Sequence, residues 1–214
     1  MQPVLWAAAG TGFTCLMTVL GASMVFFFRK RVTEGAQRIF LGFAAGVMVA
    51  ASVWSLLIPA IEEAESQGVP GWLPAAGGFL LGVGFLMALD SVMPHLHLGA
   101  DQPEGHSSSW KRTTLLVLAV TLHNIPEGMA VGFSFALAAQ HGDDPALYTG
   151  ALALALGMGL QNFPEGAAIS LPLRQEGLPA WKSFVYGGLS GIVEPLFGIL
   201  AVLVAGSIQP LLPW

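Results

Sequence analysis

The stretch TTLLVLAVTLHNIPEGMAVGFSFALAA, residues 113–139, is an apolar run interrupted near its middle by a histidine, an asparagine, a proline and a glutamate. About 20 helical residues suffice to cross the hydrocarbon core of a bilayer, so this run is long enough to span it. Ionisable side chains at the centre of a membrane span are costly and are usually tied to function. The segment therefore predicts both a transmembrane helix and a buried polar site.

The rest of the chain has the composition of a membrane protein. Of its 214 residues, 54% are hydrophobic and only 10% are charged, which lies outside the range of ordinary water-soluble domains. The expected fold is an all-α membrane protein, a helical bundle that forms a single transmembrane domain over residues 1–214, with one long polar connection at 94–112. Apolar runs of spanning length predict six transmembrane helices, at approximately 4–28, 39–61, 71–93, 113–139, 146–173 and 183–206.

The basic residues predict how the bundle is oriented. All eight Lys and Arg residues lie in alternate connections, after span one, before span four and between spans five and six. Because cytoplasmic loops carry the excess of Lys and Arg, these connections are expected in the cytoplasm and the N-terminus outside. The opposite connections are acidic and contain no basic residue, so the outer end should attract cations. Their acidic residues are Glu62, Glu63 and Glu65 in one loop and Asp143 and Asp144 in the other.

Small residues recur at spacings that allow helices to pack closely. In lipid no hydrophobic effect drives helices together, so small side chains that let backbones approach are favoured at helix contacts. Such spacings occur at Gly42/Gly46, Gly78/Gly82 and Gly187/Gly188/Gly191.

The motif of span four is repeated in span five. HNIPEG at 123–128 and QNFPEG at 161–166 are identical at four of six positions and start 38 residues apart. On consecutive spans the two segments should run antiparallel, and paired interrupted segments indicate a binding site near the midplane of a transporter. Pro126 and Pro164 should kink their helices and free the carbonyls four residues earlier as extra acceptors.

Each motif presents two polar side chains on one helix face. His123 precedes Glu127 by four residues, and Gln161 precedes Glu165 by the same number, which is about one helical turn. Span six adds Glu194, in GIVEPLFG, at a similar depth. A charged carboxylate at the helix centre costs about 2.5–3.5 kcal/mol on insertion scales. Three of them require a neutralising partner.

A divalent cation explains these residue types better than protons do. Protonation would neutralise the carboxylates but would not explain a histidine and the amides of Asn124, Gln161 and Asn162 at the same depth. Together these donors suit Zn²⁺, with Cd²⁺, Fe²⁺ and Mn²⁺ as alternatives, whereas Cu(I) prefers thiolates. A lone buried His or Asn is more often a helix contact, but three central glutamates beside matched motifs favour a metal site. Neither an organic cofactor nor nucleic acid is expected as a partner.

Four further residues are weaker candidates for a transport pathway. Asp90 lies near the end of span three, and His95 and His97 follow it in the cytoplasmic loop. They could take up metal at that mouth, or they could simply be solvated at the membrane boundary. Ser52 in span two could add a weak oxygen ligand, although a serine bonded to its own helix backbone is the more ordinary arrangement.

These motifs resemble those of the ZIP (Zrt/Irt-like) divalent metal transporters, and in particular the bacterial GufA-like branch. Besides HNIPEG and QNFPEG, the resemblance rests on GFAAGVMVAASVWSLLIPAIE in span two, LDSVMPHLHLG closing span three and GIVEPLFG in span six. It covers nearly the whole chain. It implies a multi-pass protein of the inner (plasma) membrane that moves divalent metal, zinc foremost, into the cytoplasm. It implies no enzymatic activity, and it leaves a homodimer open.

For the site, the resemblance implies a binuclear centre in which Glu127 and Glu165 bridge two metals. The first metal would be surrounded by His123, Glu127, Gln161 and Glu165. The second position would be completed by Asn124, Asn162 and Glu194. Asp90 would belong to the release path, and the histidines of 94–112 to a cytoplasmic metal-handling segment. Many binuclear members carry aspartate at the position of Asn162, so the second position here has a lower charge.

The family usually has eight spans, two more than are predicted here. The chain stops at SIQPLLPW, where a seventh span would begin, so we expect either a truncated bundle or one that a partner chain completes. Two other functions remain open: a metal-binding remnant or sensor without transport, and an intramembrane metal-dependent hydrolase. The sequence disfavours the hydrolase because it has no HExxH motif and no evident general base.

Overall fold

The computed structural model describes residues 2–27, 34–92, 112–142 and 144–208. It is 91% helical, and the described residues contain no strand, which confirms the all-α prediction. The helices are α1 (Gln2–Ala22), α2 (Glu34–Ala50), α3 (Ile58–Ser66), α4 (Trp72–Val92), α5 (Arg112–Gln140), α6 (Pro145–Gln175), α7 (Ala180–Leu189) and α8 (Val193–Ala205).

Three short turns of other helix types join these elements. A 3₁₀ turn, Ser23–Phe26, extends α1, a π-helical segment, Ala51–Leu57, joins α2 to α3, and a second 3₁₀ turn, Ser190–Ile192, joins α7 to α8. The described residues therefore form six continuous helical segments. Each coincides with one of the six predicted spans, with ends that differ by a few residues.

The chain is a multi-pass membrane protein. Among the described residues, four helical stretches are long and apolar enough to cross a bilayer, and the segment Trp72–Ala88 is apolar but shorter. The long helix α6 contains several polar side chains near its middle, which lower its hydropathy. The number of crossings and the outside N-terminus stay predictions. The four qualifying stretches are Gln2–Phe26, Ala45–Ser66, Thr113–Gln140 and Ala180–Ala205.

The two motif prolines do not interrupt their helices. Helix α5 continues through Pro126, and α6 continues through both Pro164 and Pro172. Each proline lacks the amide that would bond to the carbonyl four residues earlier, yet the helix resumes on both sides. Both motif segments are therefore continuous helices that contain a proline, and the kinks expected at Pro126 and Pro164 stay a prediction.

Changes of helix type occur in spans two and six. Ahead of Pro59 the helix widens, and the Ile58 amide bonds to the Val53 carbonyl five residues back. This π-type pairing suits the position, because Pro59 cannot donate to the carbonyl four residues before it. In span six a 3₁₀ turn ends two residues before Glu194, so the backbone changes its winding beside a candidate ligand.

The centre of the bundle consists of α1, α5, α6 and α8. Helix α1 packs most extensively on α6, and α5 on α8. The glycines that close the two motifs lie at these contacts. A Cβ atom at Gly166 would overlap the Thr18 carbonyl, and one at Gly128 would overlap the backbone of Glu194. Both glycines thus set the helix separation that brings the polar side chains together.

The glycine spacings seen in the sequence have different outcomes. Gly187, Gly188 and Gly191 lie against side chains of α1, as predicted. Within the part of the chain that the structure describes, a Cβ atom at Gly42, Gly46 or Gly82 would meet nothing within 4 Å. The packing prediction is therefore wrong for these three glycines, because helix spacing alone does not determine which helix face has a neighbour.

Helix α4 lies at the edge of the bundle and packs mainly on α3. Its large apolar side chains are exposed around the whole helix, including the adjacent residues Leu80 and Leu81, which are 69% and 67% exposed. A helix that is apolar on all sides is typical of a membrane span. The exposed apolar surface of α4 is therefore consistent with contact with lipid.

Candidate metal centre

The polar residues of the two motifs meet at the centre of the bundle. Helix α5 supplies His123 and Glu127, and α6 supplies Glu165. One donor atom from each of these three residues lies within 4.8 Å of the other two. Zinc bonds to nitrogen and oxygen are about 2.0–2.2 Å long, so small side-chain rotations would let one ion contact all three donors.

Glu127 connects the two motifs directly. Its Oε1 atom lies 3.3 Å from Nε2 of His123, one turn earlier on α5. The same oxygen accepts a hydrogen bond of 2.6 Å from Nε2 of Gln161 on α6. The Glu127 side chain is only 7% exposed, whereas that of His123 is 48% exposed. The second oxygen of Glu127 is buried and has no hydrogen-bond partner, so it can accept a further ligand.

The amides of Gln161 and Asn124 are anchored through their nitrogen atoms. Nε2 of Gln161 lies 3.3 Å from the Met158 sulfur in addition to its bond with Glu127. Nδ2 of Asn124 donates to the Ser190 carbonyl at 3.1 Å. Carboxylate and carbonyl oxygens only accept, so these contacts fix which end of each amide is nitrogen. Each amide oxygen is left for another partner.

Asn162 and Glu194 form a separate, fully buried pair. Nδ2 of Asn162 donates to Oε2 of Glu194 at 2.9 Å and lies 3.4 Å from the Thr14 carbonyl. The other Glu194 oxygen accepts from the Thr18 hydroxyl at 3.3 Å. Both carboxylate oxygens of Glu194 therefore already have donors. The structure brings Glu194 to Asn162 rather than into the group of His123, Glu127 and Glu165.

Unpaired acceptor oxygens are concentrated in this cluster. The described residues contain six buried side-chain oxygens without a hydrogen-bond partner, and five belong to candidate ligands. Buried polar atoms are normally paired, and leaving one unpaired costs about 1–3 kcal/mol. Two of the five belong to Glu127 and Glu165, which form with His123 a group that could hold a metal ion. The five are Asn124 Oδ1, Glu127 Oε2, Gln161 Oε1, Asn162 Oδ1 and Glu165 Oε1.

The weaker candidates lie away from this cluster or outside the described residues. The Ser52 hydroxyl donates to the Met48 carbonyl of its own helix at 2.8 Å. Asp90 belongs to the last turns of α4, but its side chain is outside the described part. His95 and His97 lie in the stretch 93–111, which is also outside it. The pathway role of these residues stays a prediction.

Sequence reasoning missed the groups that orient the ligands. Thr14 and Thr18 contact Asn162 and Glu194, and Met158 contacts Gln161. Two local patterns could have indicated them. Thr11, Thr14 and Thr18 recur at helical spacing within an otherwise apolar span, and Met158 precedes Gln161 by three residues. No comparable sequence pattern indicates that the Ser190 carbonyl would contact Asn124.

Comparison with known proteins identifies the family. The chain is 38% identical to the zinc transporter ZIP11 of Xenopus tropicalis and 36% identical to that of Homo sapiens, over 100% and 99% of this chain and 84% of each relative. It is 39% identical to the zinc transporter GufA of Myxococcus xanthus, over 92% of this chain and 75% of the relative. The chain belongs to the ZIP family. No protein-family model matches the sequence.

Membership in the ZIP family confirms the resemblance inferred from the paired motifs. The GufA match agrees with the branch that those motifs indicated. The two motifs supply all five of these unpaired oxygens, through Asn124, Glu127, Gln161, Asn162 and Glu165. In this ZIP protein the repeated hexapeptide is therefore the source of the whole unpaired ligand set.

In this ZIP protein Met158 should control how Gln161 presents its oxygen. Met158→Leu nearly conserves volume but removes the sulfur that accepts from the Gln161 amide. We expect the KM for zinc uptake to rise about 2- to 5-fold, as for the loss of one modest hydrogen bond, with little change in kcat. Concentration-dependent uptake in proteoliposomes measures both constants. An unchanged KM would show that the sulfur contact does not orient Gln161.

Proposed function

We propose that this ZIP protein moves zinc across the inner (plasma) membrane into the cytoplasm through the central cluster. The observation that carries the proposal is the group of His123, Glu127 and Glu165, in which one donor atom from each residue lies within 4.8 Å of the others and each glutamate keeps a buried, unpaired oxygen. A divalent cation would satisfy those oxygens and offset the charge of the buried carboxylates. The relatives are named as zinc transporters, which favours transport over storage, sensing or hydrolysis.

The donor set favours zinc and leaves related ions as competitors. One imidazole nitrogen with carboxylate and amide oxygens suits a borderline-hard divalent ion such as Zn²⁺, Cd²⁺, Fe²⁺ or Mn²⁺. The described part of the cluster contains no thiolate, which Cu(I) would prefer. Several weak oxygen donors also allow release, because a transported ion must bind firmly enough to enter and loosely enough to leave.

Two metal positions would differ in how readily they fill. At the first, Glu127 and Glu165 each keep an unpaired oxygen next to His123. At the second, Glu194 is already held by Thr18 and Asn162, and a metal would have to displace at least one of these donors. The first position should therefore load before the second.

An apolar layer supports an alternating-access mechanism. Val131, Phe135 and Leu154 are at most 1% exposed, and they pack with Met158 in one cluster. Along α5 and α6 these residues lie between the metal cluster and the end that carries His141 and Asp144. Such a layer would block ions on that side, while His123 is half exposed. Movement of one group of helices against the other would open this apolar layer.

Uptake measurements separate transport from the alternatives. Proteoliposomes containing the chain should accumulate zinc-65 over time, and a competition series should rank Cd²⁺, Fe²⁺ and Mn²⁺ as inhibitors. A sensor or remnant would bind zinc in detergent but would show no accumulation above protein-free vesicles. That result would overturn the transport proposal while leaving the metal site intact.

Asn162→Asp tests the second position. In the metal-free protein the new carboxylate could not donate to Glu194, and two acceptors would face each other about 2.9 Å apart. We expect the variant to unfold at a lower temperature than the parent without metal and to gain more thermal stability on adding zinc. Thermal unfolding with and without zinc measures both effects. Equal zinc-induced shifts in the two proteins would argue against a metal next to residue 162.

A further inference from the structure

A second imidazole–carboxylate pair, here called the outer pair, consists of Glu63 and His141. Glu63 lies near the end of α3, and His141 directly follows α5. Nε2 of His141 is 2.9 Å from Oε2 of Glu63, and the other Glu63 oxygen accepts from the Gln67 amide at 2.8 Å. The Glu63 side chain is 6% exposed and that of His141 is 38% exposed. A buried carboxylate thus contacts an imidazole that solvent can reach.

The second ring nitrogen of His141 determines the chemistry of the contact. Nδ1 lies 3.1 Å from the Leu137 carbonyl, which only accepts, so the tautomer with its proton on Nδ1 can donate a hydrogen bond there. In neutral imidazole Nε2 then carries only a lone pair, which faces a carboxylate oxygen that also only accepts. A metal ion bound to that lone pair would be attracted to the Glu63 carboxylate as well. Metal-binding histidines are commonly held through a backbone carbonyl in this way.

The surroundings of the outer pair favour a metal ion. The sequence has no Lys or Arg between Arg38 and Lys111, or between Arg112 and Arg174, so no basic side chain of these segments neutralises Glu63. Glu62, Glu65 and Asp144 add exposed negative charge at the same end. Such a field raises the local concentration of cations. A divalent cation is thus attracted to a place where an imidazole and a carboxylate are already 2.9 Å apart.

We propose that the outer pair is a metal-capture site. Zn²⁺, or a similar borderline divalent cation, binds Nε2 of His141 and the Glu63 carboxylate, with water in its remaining positions, and any proton on Nε2 is released to water. Two protein ligands bind more weakly than the central cluster, which suits a site that must hand its ion on. The role of this site in uptake rests on the proposed function, but its metal binding does not.

A binding experiment tests the site without requiring transport. The double variant Glu127→Ala/Glu165→Ala removes two central ligands, and zinc-65 binding is then measured by equilibrium dialysis of the full chain in detergent. We expect, in addition to any zinc that His95 and His97 bind, a weaker zinc equivalent at the outer pair. Adding Glu63→Gln or His141→Ala should weaken it at least about tenfold, whereas Glu62→Gln should leave it within about twofold. Glu62→Gln is matched, because it removes the same charge from the neighbouring, exposed residue.

The possible results decide the proposal in either direction. His141→Ala changes a half-exposed side chain, so it remains informative if the buried Glu63→Gln variant fails to fold. No residual zinc, or residual zinc that is unaffected by Glu63→Gln and His141→Ala, overturns the site. With the central ligands intact, His141→Ala should raise the KM for zinc uptake several-fold at unchanged kcat. Lost binding with an unchanged KM would overturn the capture role, and absent uptake in the parent would contradict only the proposed function.

Discussion

Glu127→Gln should reduce zinc uptake by about 100-fold or more and leave the bundle folded. The substitution keeps the shape of the side chain and an oxygen that can accept from Gln161, so packing is conserved. It removes the charge of a carboxylate whose donor atom lies within 4.8 Å of those of His123 and Glu165. Removing a residue that only hydrogen-bonds to a metal ligand typically lowers metal affinity 10- to 100-fold. Removing the charge of the ligand itself should lower it further. Initial rates of zinc-65 uptake in proteoliposomes measure the effect.

The comparison needs a carboxylate that lies outside the cluster. Glu65→Gln makes the same chemical change at an exposed position, and its uptake should stay within about twofold of the parent because a screened surface charge has a small effect. Glu165→Gln should behave like Glu127→Gln. Undiminished uptake in both central variants, at equal amounts of reconstituted protein, would exclude this cluster as the transport site.

The sequence predicted the parts of the centre that depend on helix periodicity. A spacing of four residues places His123 above Glu127, and the repeated hexapeptide makes the same arrangement on α6. The match of two such motifs on consecutive apolar spans was enough to predict that they face each other. The structure agrees, because Gln161 of the second motif donates to Glu127 of the first.

The orientation of each amide could not be predicted from the motifs. It depends on acceptors that other helices bring in, such as the Ser190 carbonyl for Asn124 and the Thr14 carbonyl for Asn162. Backbone carbonyls occur at every residue, so no residue type marks the ones that will be used. Likewise, Glu63 and His141 are 78 residues apart in the chain, and only the packing of α3 near the end of α5 reveals their contact.

The glycines also show that sequence spacing does not predict which residues meet in the bundle. Gly46 and Gly166 both lie within long helices of apolar sequence. The spacing of Gly42 and Gly46 predicts helix packing at Gly46, whereas no such spacing was used for Gly166. In the structure Gly46 faces open space, whereas Gly166 contacts the backbone of α1. The difference arises because α6 is surrounded by other helices, and α2 lies on the outside of the described bundle.

Gly166→Ala should therefore destabilise the protein severely, and its effect should reach the metal centre. The new methyl group would overlap the Thr18 carbonyl, so α1 and α6 would have to move apart. Overpacking typically costs about 1–3 kcal/mol and sometimes more, and a backbone atom cannot move away as a flexible side chain can. Separation of α1 would also withdraw the Thr18 hydroxyl from Glu194. We expect a marked fall in unfolding temperature, together with weaker zinc binding.

Gly46→Ala is the matched control for this change. It introduces the same methyl group within a helix, where the structure offers space. Alanine has a higher helix propensity than glycine by about 1 kcal/mol, so this variant should unfold at the same temperature as the parent or higher. Thermal unfolding of both variants in one detergent, followed by tryptophan fluorescence, makes the comparison. Equal unfolding temperatures for Gly166→Ala and Gly46→Ala would show that α1 and α6 do not meet at Gly166, and the packing that places Thr18 beside Glu194 would then be wrong.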